Sequence, residues 1–122
     1  MGQKDRCFQE YCAFKTEWLQ NKVGPPEGKF LLGVVGDSMS PTINNGDTVM
    51  LDTSATHIFD GNIYALRMDS TIMIKRLALL PDDKVRLISD NKTEYDPVDA
   101  DREDVYVLGR VVWFARTLVK SD

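Results

Sequence analysis

The sequence predicts a mainly β fold, with several short antiparallel strands preceded by a short N-terminal helical segment. Two patterns carry this reading. As far as Lys22 the apolar residues recur every three to four positions; from Phe30 onward they form short runs, with period two or none, each bounded by Gly, Asp, Asn or Pro. Size is the third observation. A chain of 122 residues, 43% hydrophobic and 28% charged, fits one domain that buries its own core and leaves no room for two packed domains.

The helical stretch holds Phe8, Tyr11, Cys12, Phe14, Trp18 and Leu19 and ends at Val23-Gly24-Pro25-Pro26. Phe30 to Val35 is near-continuously apolar, the pattern of a strand buried on both faces, and it stops at Gly36-Asp37-Ser38-Met39. Asn44-Asn45-Gly46-Asp47 is a turn before a strand from Thr48 to Asp52 that places Val49 and Leu51 on one face. After the turn Asp60-Gly61-Asn62, the runs Ile63 to Met68 and Thr71 to about Leu79 flank Asp69-Ser70 and predict a hairpin. Pro81-Asp82-Asp83 precedes a strand from Lys84 to Ile88, and the polar stretch Ser89 to Glu103 predicts a long loop. Val105 to Leu118 exceeds an average strand, so Gly109 at its middle suggests a bulge where the strand changes partners. Val111, Val112, Trp113 and Phe114 carry more apolar surface than one buried face needs, which makes this strand a candidate dimer edge.

Composition removes several function classes. With 15 Lys+Arg against 19 Asp+Glu the net charge is −4, so no overall positive field draws the chain to phosphate backbones, which argues against a stand-alone DNA-binding domain. No apolar run is long enough to cross a bilayer, and the polar start Met1 to Cys7 is not a secretion signal; a cytoplasmic protein is expected. Cys7 and Cys12 fit neither a redox pair nor a zinc pair, and two reduced thiols are expected. His57 is the sole histidine, and no carboxylates stand at metal-ligand spacing, so no metal site is expected.

One serine stands out by context. Ser38 follows an apolar strand and Gly36-Asp37 at a sharp turn, a junction that can expose Oγ and aim backbone N–H groups at one point, as an oxyanion hole requires. Read by pattern alone, it suits a serine capping a helical turn better. A serine nucleophile needs a base, and two kinds are known: a histidine, for which His57 is the only candidate, or a neutral lysine. A lysine with pKa about 10.4 is neutral roughly one time in a thousand at physiological pH, so a useful base must be desolvated, at about 4 kcal/mol for a shift of about three units. That requirement selects among the lysines. Thr71, Met73, Lys75 and Leu77 share one face of their strand, which puts Lys75 in apolar company, whereas Lys29, Lys84, Lys92 and Lys120 lie in or beside turns and polar segments. Considered alone, Lys75 also reads as a lysine whose stem lies along a sheet edge.

Several blocks then match a known family in order. Gly36-Asp37-Ser38-Met39-Ser40-Pro41-Thr42-Ile43, Asn45-Gly46-Asp47, Val49-Met50-Leu51-Asp52, Asp60-Gly61-Asn62-Ile63-Tyr64, Lys75-Arg76-Leu77, Ser89-Asp90-Asn91, Tyr95-Asp96-Pro97 and Leu108-Gly109-Arg110-Val111-Val112-Trp113 together resemble the LexA-like peptidase domain of SOS-type and phage repressors. The resemblance implies the LexA/signal-peptidase-like β fold and a Ser/Lys dyad: Ser38 as nucleophile and Lys75 as general base, with the backbone N–H groups of Asp37 and Ser38 as oxyanion hole. No cofactor is expected, and the resemblance leaves His57 a structural role. The family cuts its own upstream segment between Ala or Cys and Gly when a RecA filament stabilises the cleavable conformation. No Ala-Gly or Cys-Gly pair occurs in this chain, whose Gly2 falls near the family's cleavage glycine. Either the chain begins about at the cleavage point or its Met-Gly start is incidental.

The segment Phe14-Lys15-Thr16-Glu17-Trp18-Leu19 with Gly24 and Pro25 or Pro26 looks like the connector that follows a helix-turn-helix in phage-type repressors. The expected organisation is therefore a helical connector over 1–28 and a peptidase and oligomerisation domain over 29–122. Expected partners are a second copy of the chain, possible engagement of a RecA filament, and operator DNA only through a helix-turn-helix outside this chain. The competing readings are a non-cleaving repressor assembly module and a UmuD-like accessory subunit of a translesion polymerase.

Overall fold

The turn Asp69-Ser70, with Asp69 at φ 54°, returns the chain on itself so that β3 (Ile63–Met68) and β4 (Thr71–Leu80) pair antiparallel from Met68↔Thr71 to Ile63↔Arg76. The computed structural model, which describes residues 27–119, builds the rest of the fold around this hairpin. With β1 (Lys29–Gly33), β2 (Thr48–Asp52), β5 (Lys84–Ile88), β6 (Val98–Asp101) and β7 (Tyr106–Ala115) it forms one seven-stranded sheet in the order β1-β2-β7-β3-β4-β5-β6, antiparallel throughout. The mainly β expectation holds. The helical connector expected over 1–28, with Cys7 and Cys12, lies almost entirely outside the described residues, as does Lys120.

Neighbouring residues of β3 point to opposite faces, and the sheet accordingly carries two cores. Tyr64 and Leu66 pack with Ile58, Leu77, Val85, Leu87, Val105 and Val107 on one face. Ala65, between them, packs with Met39, Ile43, Val49 and Leu51 on the other. Lys75 pairs with Tyr64, and Met73 and Leu77 belong to the first core, so Lys75 stands on that core's face, as the strand parity predicts.

Gly109 marks the partner change. Arg110 to Ala115 ladder with β2, whereas Tyr106 to Arg110 ladder with β3, with register shifts at Met50/Leu51 and Ala65/Leu66. A side chain at Gly109 would meet the Asp52 carbonyl oxygen at 2.8 Å, so the crossing is closed to anything larger than hydrogen.

Three expectations need correction. Phe30 to Val35 is not buried on both faces: β1 ends at Gly33 and is an outer strand, leaving Phe30 60% and Val35 92% exposed. Its apolar run resembles that of a central strand, but only β2 pairs with it. Ser89 to Glu103 is not all loop, because Val98–Asp101 forms β6. That strand is only four residues long and half aspartate, so its composition hides it; it is held to β5 by backbone pairing and by ion pairs of Lys84 with Asp101 and Arg86 with Asp99. Nor is β7 an edge: it ends at Ala115 and lies between β2 and β3.

Candidate active site

Ser38 stands in the tight turns that follow β1, on a loop fastened at both ends. Met39 and Ile43, both buried, anchor it in the second core, and the Ile43 N–H donates to the Met39 carbonyl at 3.0 Å. Beyond it, the 2% exposed Asp47 carboxylate accepts from the Asn44 N–H and from Arg116 Nε and Nη2, while Arg116 Nη2 also donates to the Thr42 carbonyl. Hydrogen bonding to Arg116 holds the Asp47 carboxyl below the usual aspartate range. The Ser40-Pro41 peptide bond in this loop is cis.

Lys75 occupies the middle of β4. Burial pushes its amine below the ordinary lysine value, and among the described residues no carboxylate pairs with it. Its Nζ donates to Ser89 Oγ at 2.7 Å and lies 5.5 Å from the centre of the Tyr95 ring. A cleft of about 390 Å³ opens beside the amine, walled by Met68, Met73, Leu87 and Val98, with Glu94 and Asp96 also lining it. Lys84, by contrast, is held in its charged form by Asp101, which removes it as a base.

One short segment reaches both residues. Past β5, the Asn91 N–H donates to the Ser38 carbonyl at 3.0 Å and Asn91 Nδ2 donates to the Asp37 carbonyl at 3.1 Å. Tyr95 donates its hydroxyl to Asp37 Oδ1 at 2.6 Å, and that carboxylate raises the Tyr95 pKa. On the opposite face Asp90 receives Arg76 Nε and Nη2 at 2.9 and 2.7 Å and Thr42 Oγ1 at 2.6 Å. The loop of Ser38 and the strand of Lys75 are thereby fastened to the same seven residues, 89–95.

Among the described residues no hydrogen bond joins Ser38 Oγ to Lys75 Nζ, and neither the Asp37 nor the Ser38 N–H donates to a protein acceptor. Among the described residues both N–H groups thus have no acceptor, the state an oxyanion-hole donor needs before substrate binds. His57 turns elsewhere, its ring edge-on to Phe59 at 4.9 Å and its carbonyl receiving the Tyr64 hydroxyl at 3.1 Å. The described residues contain no cluster of three or more His, Cys, Asp or Glu side chains able to hold a metal, and no helix among them is long and apolar enough to cross a membrane.

Sequence reasoning placed Ser89, Asn91 and Tyr95 in a polar loop and gave them no role. The available signal was Ser-Asp-Asn directly after a strand of alternating pattern, with an aromatic residue four positions beyond the asparagine.

A serine loop and a half-buried lysine on an antiparallel sheet define a class, and comparison with known proteins specifies it: the chain belongs to the Peptidase S24-like family, whose model matches residues 2–112. It is 36% identical over 95 residues to the HTH-type transcriptional regulator PrtR of Pseudomonas aeruginosa, covering 74% of this chain and 37% of that protein. It is 39% identical over 80 residues to repressor protein CI of Enterobacteria phage phi80, covering 66% and 34% of the two chains. The 26 kDa repressor protein of Escherichia phage HK022 is 36% identical over 92 residues, covering 72% and 38%. The chain therefore spans little more than a third of the length of these relatives.

Proposed function

We propose that this chain is the C-terminal assembly and self-cleavage domain of a phage-type transcriptional repressor, with Ser38 as nucleophile and Lys75 as general base. The observation that carries the reading is the amine of Lys75: lowered in pKa by burial, unpaired with any described carboxylate, and tied through residues 89–95 to the loop of Ser38. A lysine kept only for stability would gain from an ion pair or from solvent.

In this chemistry neutral Lys75 takes the Ser38 hydroxyl proton as Oγ attacks the scissile carbonyl. The Asp37 and Ser38 N–H groups stabilise the oxyanion. Lys75 then returns the proton to the leaving amine, and water hydrolyses the Ser38 ester. The substrate is the chain's own upstream segment, laid into the apolar cleft beside Lys75. Cutting it separates this domain from a helix-turn-helix that reads operator DNA, and a second copy of the chain pairs two such readers on two half-sites. Loss of repression on DNA damage, with a RecA filament favouring the cleavable conformation, follows from the same reading. The names of the relatives, regulators and phage repressors, favour it over a polymerase accessory subunit.

The test is incubation of the gene's full-length product at alkaline pH, with and without an activated RecA filament, followed by gel and mass analysis. A cut that accelerates with pH and vanishes in Ser38→Ala and Lys75→Ala supports the peptidase. An uncut wild type under every condition leaves the fold as an assembly module, and a cut that persists in Ser38→Ala removes Ser38 as nucleophile.

A further inference from the structure

Ser89 and Asn91 touch the two halves of the candidate dyad, and the chemistry above does not use them. Ser89 directly follows Ile88, which pairs with Arg76, so it continues the ladder opposite Lys75. It is 3% exposed, and its Oγ receives Lys75 Nζ at 2.7 Å. A serine buried to that degree needs a partner, and the lysine supplies it. The hydrogen bond in turn fixes the end of a side chain that otherwise has four rotatable bonds.

Asn91, two residues on, grips the nucleophile's backbone at two successive carbonyls, those of Asp37 and Ser38. In a planar trans peptide the C=O and the following N–H point in opposite directions. Holding the Asp37 carbonyl toward Asn91 therefore turns the Ser38 N–H away from Asn91. The Tyr95–Asp37 hydrogen bond braces the same loop a second time.

We propose that Ser89 and Asn91 are positioning residues: Ser89 holds the Lys75 amine and Asn91 holds the Asp37–Ser38 backbone, so the segment 89–91 fixes base and nucleophile relative to each other. The proposal rests on the Ser/Lys reading. The titratable groups around the amine are Glu94, Tyr95 and Asp96 from the connection after β5, with Asp37 behind Tyr95; from β3 the facing residue is Tyr64, whose hydroxyl is engaged by His57 and Phe59. The burial-lowered pKa of Lys75 agrees with an amine held in place by a neutral hydroxyl.

Two measurements on the 122-residue chain test it: the Lys75 titration midpoint from its Cε resonance, and the rate at which a fluorophosphonate labels Ser38 across pH, with the labelled residue located by mass. In Ser89→Ala the Lys75 midpoint and the labelling profile are expected to move together by about half a pH unit, downward, because a hydrogen bond accepted from the charged amine is lost. Ser89→Thr is expected to restore both. Asn91→Ala, and the milder Asn91→Ser, should slow Ser38 labelling by about tenfold to a hundredfold at every pH while the Lys75 midpoint stays put. Wild-type labelling that depends on Ser38 but is unchanged in all these variants overturns the positioning roles alone. Absence of Ser38 labelling in the wild type at every pH overturns the Ser/Lys reading, and the positioning roles with it.

Discussion

Gly109 is the tightest point of the sheet, and replacing it with alanine tests whether the crossing of β7 is as closed as the geometry indicates. A methyl group there would stand 2.8 Å from the Asp52 carbonyl oxygen and 3.1 Å from both the Asp52 carbonyl carbon and Thr53 Cα. All three are backbone atoms at the end of β2, so no side-chain rotation relieves the contact; β2 and β7 must separate. Overpacking of this kind costs about 1–3 kcal/mol. Alanine offsets about 0.4–1 kcal/mol of that by restricting the unfolded chain. The expected net loss is about 1–2 kcal/mol, which lowers a urea midpoint by roughly 1 M for a domain of this size. The control is Gly33→Ala, where no atom lies within 4 Å of the added methyl group, and where stability should hold or rise slightly. Equal urea midpoints for the two variants would refute the reasoning.

Other variants probe the cores and the acid limb. Leu77→Ala, at a side chain with no exposed surface in the first core, should cost about 2–5 kcal/mol by urea unfolding. Tyr64→Phe removes a hydroxyl that accepts the Phe59 N–H at 2.8 Å and donates to the His57 carbonyl at 3.1 Å; an expected loss of about 1–3 kcal/mol, read by the same assay, measures the stranded polar groups. Hydrogen bonds from Arg76 hold the folded Asp90 carboxyl below its ordinary value. Its contribution is therefore complete above the unfolded aspartate pKa of about 3.9 and disappears as pH falls through the lower folded value. Urea midpoints taken from about pH 6 down to about pH 2 should fall less steeply in Arg76→Ala than in the wild type.

The strand pattern was legible wherever a strand is half-buried. Lys84–Ile88 alternates, and its Val85 and Leu87 are buried while Lys84 and Arg86 are exposed. Gly109 was legible as a bend because a glycine inside a long apolar strand has few other uses. Phe30 to Val35 misled because apolar content reports how greasy a segment is, not how many neighbours it has. Val98–Asp101 was missed for the converse reason: its sequence, Val-Asp-Ala-Asp, has the composition of a loop, and it becomes a strand through the backbone and ion pairs that β5 offers.

By itself the sequence determined the class of fold, the turns that delimit most strands, and the face on which Lys75 stands, since each of these depends on residues close together along the chain. Strand parity is a local property, and it was enough to single out one lysine in apolar surroundings. Only the tertiary structure decided that β7 runs between β2 and β3, that β1 is left at the edge, and that Ser89 and Asn91 bridge the strand of Lys75 and the loop of Ser38. Those arrangements join residues from 14 to 67 positions apart, and which groups meet over such separations is set by packing of the whole sheet rather than by any local pattern.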